Sequence, residues 1–165
     1  MLDIFSENAL RERGFTGFSP FRTLDPLQIP REPGVYAVVR GLADGHQVLG
    51  SNVGGWFKGK DPTVDPSVLR PRLLSRTQTL YVGKADAGSR GTRGLRKRIG
   101  ELAKFGRGEP IGHWGGRYLW QLSHSQELRI AWLPTPHESA AELETALFEE
   151  FIAMHGQLPF ANLRR

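Results

Sequence analysis

Glu144 and Arg98 carry charge at positions where a helix ought to be apolar, and that misplacement is the first sign of chemistry in this sequence. On a helix turning about 100° per residue, Phe151, Phe148, Leu147, Ala140 and Ala141 all fall within about 60° of Glu144. The neighbouring acids Glu138, Glu142 and Glu149 fall about 120–160° away, on the solvated side. Arg98 stands in the same relation to Phe105, Leu102 and Leu95, while Arg96, Lys97 and Lys104 point towards water. A carboxylate on a core face is costly until it finds a partner, a metal ion or a proton. Glu144 and Arg98 therefore either form a buried structural ion pair or line a pocket where a cation-seeking carboxylate faces a phosphate-seeking guanidinium.

These two helices need a sheet to pack on. Residues 6–13 read as a short helix, and Pro20, Pro26, Pro30 and Pro33 make 20–33 an extended connector. GVYAVVR (34–40) and QTLYVG (78–83) are strands that pair across a long loop, and RYLWQL (117–122) and ELRIAWL (127–133) are two further strand candidates. Leu95, Ile99, Leu102 and Phe105 define a helix over about 94–105. A longer helix opens at the capping box Thr135-Pro136-His137-Glu138 and ends near Gly156. The expected fold class is α+β, a small, mostly antiparallel central sheet flanked by helices. Residues 1–33 supply an N-terminal helix and connector, residues 34–165 the domain proper, and the glycine- and proline-rich stretch 41–77 is an insertion within it.

Composition narrows the function. A chain of 165 residues with 39% hydrophobic and 24% charged residues has the make-up of one globular domain. There is no cysteine, which excludes a disulfide framework, thiolate metal sites and a cysteine nucleophile. The N-terminus lacks a secretory leader's apolar core, and no apolar run approaches the ~20 residues of a membrane span, so a soluble cytoplasmic protein with no membrane partner is expected. Between residues 70 and 107, eleven lysines and arginines stand against only Asp86 and Glu101. That density, with arginine outnumbering lysine 17 to 5, suits a polyanionic partner rich in phosphate, although a solvated basic face has the same composition.

The ordered motifs resemble those of the GIY-YIG nuclease superfamily. Gly34-Val35-Tyr36 and Tyr81-Val82-Gly83 look like its two half-motifs, Lys84 follows the second, and Leu95-Arg96-Lys97-Arg98 resembles its helical L-x-x-R. Glu144-Thr145-Ala146-Leu147 resembles its helical E-x-x-L, and Pro159-Phe160-Ala161-Asn162 its closing P-x-x-N. This chain departs from the pattern in placing 44 residues between Tyr36 and Tyr81, and in its longer segments from Tyr81 to Arg98 and from Glu144 to Asn162. The resemblance implies an endonuclease that hydrolyses phosphodiester bonds in DNA with one Mg²⁺ or Mn²⁺ ion. Glu144 would hold the ion, Arg98 would grip the scissile phosphate and Lys84 would add positive potential. One of the paired tyrosines would be the general base, Tyr36 in preference to Tyr81, and the other would position water or phosphate, while Asn162 would brace sheet and helix around the site. A tyrosine base at neutral pH requires its pKa to fall from about 10, which nearby cations can bring about.

Arg90, Arg93, Arg96 and Lys97 around the start of the basic helix, and His113 in the loop after it, are the candidates for substrate contact. One inward acid, with Asp86 as a loop-borne addition, argues for a single ion rather than a two-metal site. The insertion mixes Trp56, Phe57, Lys58 and Lys60 with Arg70, Arg72 and Arg76, suited to backbone contact and stacking or simply to covering a sheet edge. No phosphate-binding GxxxxGK[ST] loop, HExxH helix or GxSxG elbow is present. The alternative function is a catalytically inactive nucleic-acid-binding module of the same fold.

Overall fold

β-Branched and aromatic residues at 34–39 form the strand around which the domain is built. In the computed structural model, which describes residues 3–164, this strand (β2, Gly34–Val39) is buried along its whole length. Met1, Leu2 and Arg165, at the outer ends of the two expected segments, lie outside the described residues. β1 (Thr16–Pro20), β3 (Thr79–Ala85) and β4 (Arg129–Pro134) complete an antiparallel sheet in the order β1-β4-β2-β3. α1 (Glu7–Glu12) and α2 (Pro66–Leu69) are short; α3 (Leu95–Gly106) and α4 (Ala140–His155) cover opposite faces of the sheet. The fold class is α+β. No helix among the described residues is long and apolar enough to cross a membrane.

The two faces have separate cores. Val35, Ala37, Val39 and Val82 pack on Leu147, Phe148 and Phe151 of α4 and on Phe5, Leu10, Phe15 and Phe18 from the N-terminal segment. Tyr36, Val38, Leu80, Tyr81, Ile130 and Trp132 pack on Leu95, Ile99, Leu102 and Phe105 of α3 and on Trp120. The N-terminal segment is thus integral to the domain rather than a connector, and it contributes β1. That strand escapes a propensity reading because Gly17 and Phe18 have positive φ and a bulge interrupts its pairing with β4. A Cβ on Gly17 would fall 2.6 Å from the Trp132 ring, so the packing itself demands glycine there.

Other expectations need correction. Residues 117–122 are not a strand: Trp114–Gln121 coils into a 3₁₀ segment that buries Leu119 and Trp120 against α3. The alternation of apolar residues there is short enough to fit either period, and tertiary packing decides it. α4 starts later than the Thr135 box. Ser139 is its N-cap, accepting from the Glu142 N–H at 3.2 Å, while Thr135 donates its N–H to the Pro33 carbonyl at 2.8 Å. The insertion is partly core: Leu69 is fully buried, and Arg72 donates to the carbonyls of Phe160 and Asn162.

β3 is the edge strand, and the C-terminal segment closes it. Ala161 donates its N–H to the Leu80 carbonyl at 2.8 Å. The Asn162 side chain accepts from the Val82 N–H at 3.0 Å and donates to the Val82 carbonyl at 2.8 Å, satisfying both backbone groups of that residue.

Gly83 lies opposite Tyr36 in the ladder, and a Cβ on it would fall 2.4 Å from Cζ of the Tyr36 ring. Gly100, on α3, has open space around it. Gly83→Ala is expected to lose about 1–3 kcal/mol in urea unfolding through overpacking. Gly100→Ala should gain up to about 1 kcal/mol from helix propensity.

Candidate active site

Ladder geometry sets where the two phenols point. Tyr36 pairs with Gly83, and Val38 with Tyr81, so both tyrosines emerge on the α3 face, diagonal to one another. Their ring centroids are 6.0 Å apart, and the missing Cβ at Gly83 lets the Tyr36 ring lie across β3 towards the open edge of the sheet. Lys84 pairs with Val35 and therefore faces the other way, towards α4. The two faces meet at the β3 edge. A cavity of about 400 Å³ opens there, lined by Tyr36, Tyr81, Lys84, Asp86, Arg93, Arg98 and Glu144 among others.

Arg98 and Glu144 do not form the alternative ion pair. Arg98 Nη1 donates to the Gly112 carbonyl at 3.0 Å and lies 3.4 Å from Glu101, which also binds Arg93 at 2.5 Å. Burial opposes the charge on the Arg98 guanidinium, yet with Glu101 in contact its pKa stays above the ordinary value and it remains charged. Lys84 is paired with Asp86 at 2.5 Å. Half-burial pushes the Glu144 carboxyl above its usual range, and Asp86 adds to this against the opposing pull of Lys84 and Arg98. A carboxylate with raised proton affinity beside a second carboxylate, on an open and water-accessible cavity, has the chemistry of a hard-cation site. Mg²⁺ or Mn²⁺ held on one or two carboxylates with several waters fits that donor set. Among the described residues no group of three metal-ligating side chains assembles, so the donors do not make an all-protein cage.

The protein's own groups do not shift the phenols down: burial pushes Tyr36 well above its ordinary value, and Tyr81 upward too. Arg98 pulls both the other way but does not outweigh burial. Tyr81, at 7% exposure against 1% for Tyr36, is the easier to ionise, and a charge on Tyr81 raises Tyr36 further.

His113 is not a surface contact for substrate. It is fully buried, edge-on to both tyrosine rings, with Nε2 2.9 Å from the Tyr36 hydroxyl. Burial and the nearby Arg98 charge hold its pKa down to about 3, so it is neutral throughout the physiological range. Its Nδ1 is buried without a partner. An unpaired buried N–H is less tolerable than an unpaired lone pair, so the proton belongs on Nε2, which donates to Tyr36.

The remaining basic residues divide. Arg96 is committed to the fold, donating from Nε to the Ile29 carbonyl at 2.8 Å. Arg90 and Lys97 are exposed. Arg93, Arg96 and Lys97 join Arg31 around a second cavity of about 450 Å³, which shares Arg93 with the first. A third cavity, of about 630 Å³, shares Tyr81 and Glu144 and adds Trp114, Arg117 and Arg164. The Arg117 guanidinium is stacked 4.5 Å from the Trp114 ring centroid. Arg31 and Arg117 were not legible as site residues, since the first lies in a proline-rich segment and the second in a stretch that reads as a strand.

The His113 shift has a measurable consequence for stability. The folded pKa is depressed, so the unfolded chain takes up the proton first; the stability is full above about pH 6.5 and falls as pH drops towards 3. Between pH 7 and pH 4 this amounts to about 3 kcal/mol. Urea unfolding at the two pH values should show that loss for the parent and a loss smaller by about that amount for His113→Gln.

Comparison with protein-family models, with curated proteins and with solved structures finds no match to this chain.

Proposed function

We propose that this chain is a metal-dependent endonuclease that hydrolyses phosphodiester bonds in DNA, of the GIY-YIG type its motifs resemble. The observation that carries the reading is the convergence of two phenols, a guanidinium, an ammonium and a carboxylate on one cavity. Each belongs to a motif matched in sequence order, although Lys84 and Glu144 approach from the opposite face of the sheet to Tyr36 and Arg98. The flanking cavity lined by Arg31, Arg93, Arg96 and Lys97 supports a polyanionic substrate lying across the site.

Phosphodiester hydrolysis needs an activated water, neutralised phosphoryl oxygens and help for the departing oxygen. Arg98 grips the scissile phosphate. Its contacts with Gly112 and Glu101 orient the guanidinium beforehand and leave its other N–H groups for phosphate oxygens. Lys84 adds positive potential to the same cavity. A divalent ion held by Glu144, with Asp86 beside it, would supply stabilisation of the leaving oxygen and positive charge next to the phenols.

The attacking water gives its proton to a coupled pair rather than to an isolated phenol. Tyr81 ionises first, the neighbouring Tyr36 hydroxyl easing the loss of its proton, and His113 Nε2–H donates to Tyr36. This makes Tyr81 the base and Tyr36 its support, the reverse of the assignment preferred from the sequence. His113 acts as a positioning residue, uncharged at every working pH.

Nicking of supercoiled plasmid with Mg²⁺ or Mn²⁺ tests the reading. Glu144→Gln should lose about 10²–10³-fold in rate, the scale of one electrostatic group, while binding persists. Tyr81→Phe should abolish cutting. Tyr36→Phe should retain it with the ascending limb of the pH–rate profile moved to higher pH. A parent protein that binds but never nicks would leave the inactive binding module of the same fold as the function.

A further inference from the structure

The insertion between β2 and β3 has two parts with different fates. Leu69 belongs to the core, and Val48, Val64 and Leu73 pack on it. Phe57 packs there too, but its neighbours are left over: Trp56 is 57% exposed, and Lys58, Gly59 and Lys60 are exposed. An exposed tryptophan followed two and four residues later by exposed lysines is surface outside the core.

The segment is nevertheless well built. Lys60 donates its N–H to the Phe57 carbonyl at 3.0 Å, closing a two-residue hairpin with Lys58 and Gly59 at its tip. Both tip residues have positive φ, 53° and 74°, as a primed hairpin turn requires. Asparagine or glycine is the usual first tip residue; a lysine there costs about 1–2 kcal/mol of backbone strain, so something other than the turn favours it. The base of the hairpin is pinned to α3. Gly55 donates to the Phe105 carbonyl at 2.9 Å, and a Cβ on Gly55 would fall 1.9 Å from the Glu109 carbonyl oxygen.

That anchoring links the hairpin to the candidate active site through one residue. The Phe57 ring lies against Gly112, 3.8 Å from where a Cβ would stand, and the Gly112 carbonyl is the group that holds Arg98. The neighbouring acid, Asp61, is turned back to cap the Thr63 N–H at 2.9 Å. Lys58, whose ammonium lies 5.3 Å from the Phe57 ring centroid, and Lys60 are both exposed and neither is held by a carboxylate among the described residues, so both can meet external anions.

We infer that the 56–60 hairpin is a substrate-binding element that stacks Trp56 on an unpaired base and sets Lys58 and Lys60 on phosphates next to the cleaved bond. The preferred substrate is then a duplex with a single-stranded flank, because a base inside an intact duplex has no free face for an indole. The location rests on reading the cavity as the phosphodiester site; the binding does not require cleavage.

The test is fluorescence anisotropy with chelator present and Glu144→Gln in every protein. The probes are one fully paired DNA duplex and the same duplex with an unpaired flap. Trp56→Ala should weaken binding to the flapped duplex by about 10-fold or more and leave the paired duplex unchanged. The double variant Lys58→Ala/Lys60→Ala should reduce the slope of log K against log salt by about 1.8 on the paired duplex. Trp56→Ala affinities that match the parent on both probes, or fall equally on both, would overturn the stacking role, and an unchanged salt slope would overturn the phosphate contacts. Because no step depends on cutting, a protein that never nicks DNA can still pass, and an active nuclease can fail.

Discussion

The site depends on one close approach: the Tyr36 ring lying flat across Gly83. Any side chain at Gly83 would strike the phenol, and the Tyr36 ring could not keep its place. With glycine there, the ring reaches towards the free edge of β3, where a residue from the opposite face of the sheet can share its cavity. Gly34 plays a supporting part. A Cβ on it would fall 2.3 Å from the Leu133 carbonyl oxygen, so β2 and β4 could not close as they do.

An edge strand is the natural place for such a site and also a liability. The edge exposes unpaired backbone groups, and here the C-terminal segment satisfies them through Asn162 and Ala161. The same segment, clamped by Arg72 from the insertion, lines the third cavity. Insertion, C-terminus and the β3 edge are thus packed as one unit, and the direct pairing of β2 with β3 keeps the phenols together across the 44 residues between the two tyrosines.

Burial and charge pull against each other within the cavity. The phenols and Glu144 all hold their protons more tightly than in water, and Arg98 and Lys84 only partly offset this. A cation placed in the cavity would draw those protons off, and Lys84, Arg93 and Arg98 leave the same cavity able to meet an anion. His113 contributes without charge: at full burial it donates the same hydrogen bond at every working pH.

Much of this was readable from residue types and spacing. Glu144 and Arg98 stand out as soon as α3 and α4 are drawn as wheels, because helical periodicity converts sequence separation directly into direction. The paired strands and the α+β class follow from equally local patterns. Other features could not be read, and each for a non-local reason. β1 is a strand only because β4 offers it an edge, its own glycine and positive-φ phenylalanine arguing against one. Residues 114–121 coil because Trp120 has a hole beside Gly106 to fill. The sequence alone determined which groups could do chemistry. Tertiary structure decided that Lys84 and Glu144 approach from the far face, that His113 lies beneath the phenols and that Arg96 serves the fold, because burial and hydrogen-bond partners exist only once distant segments have met.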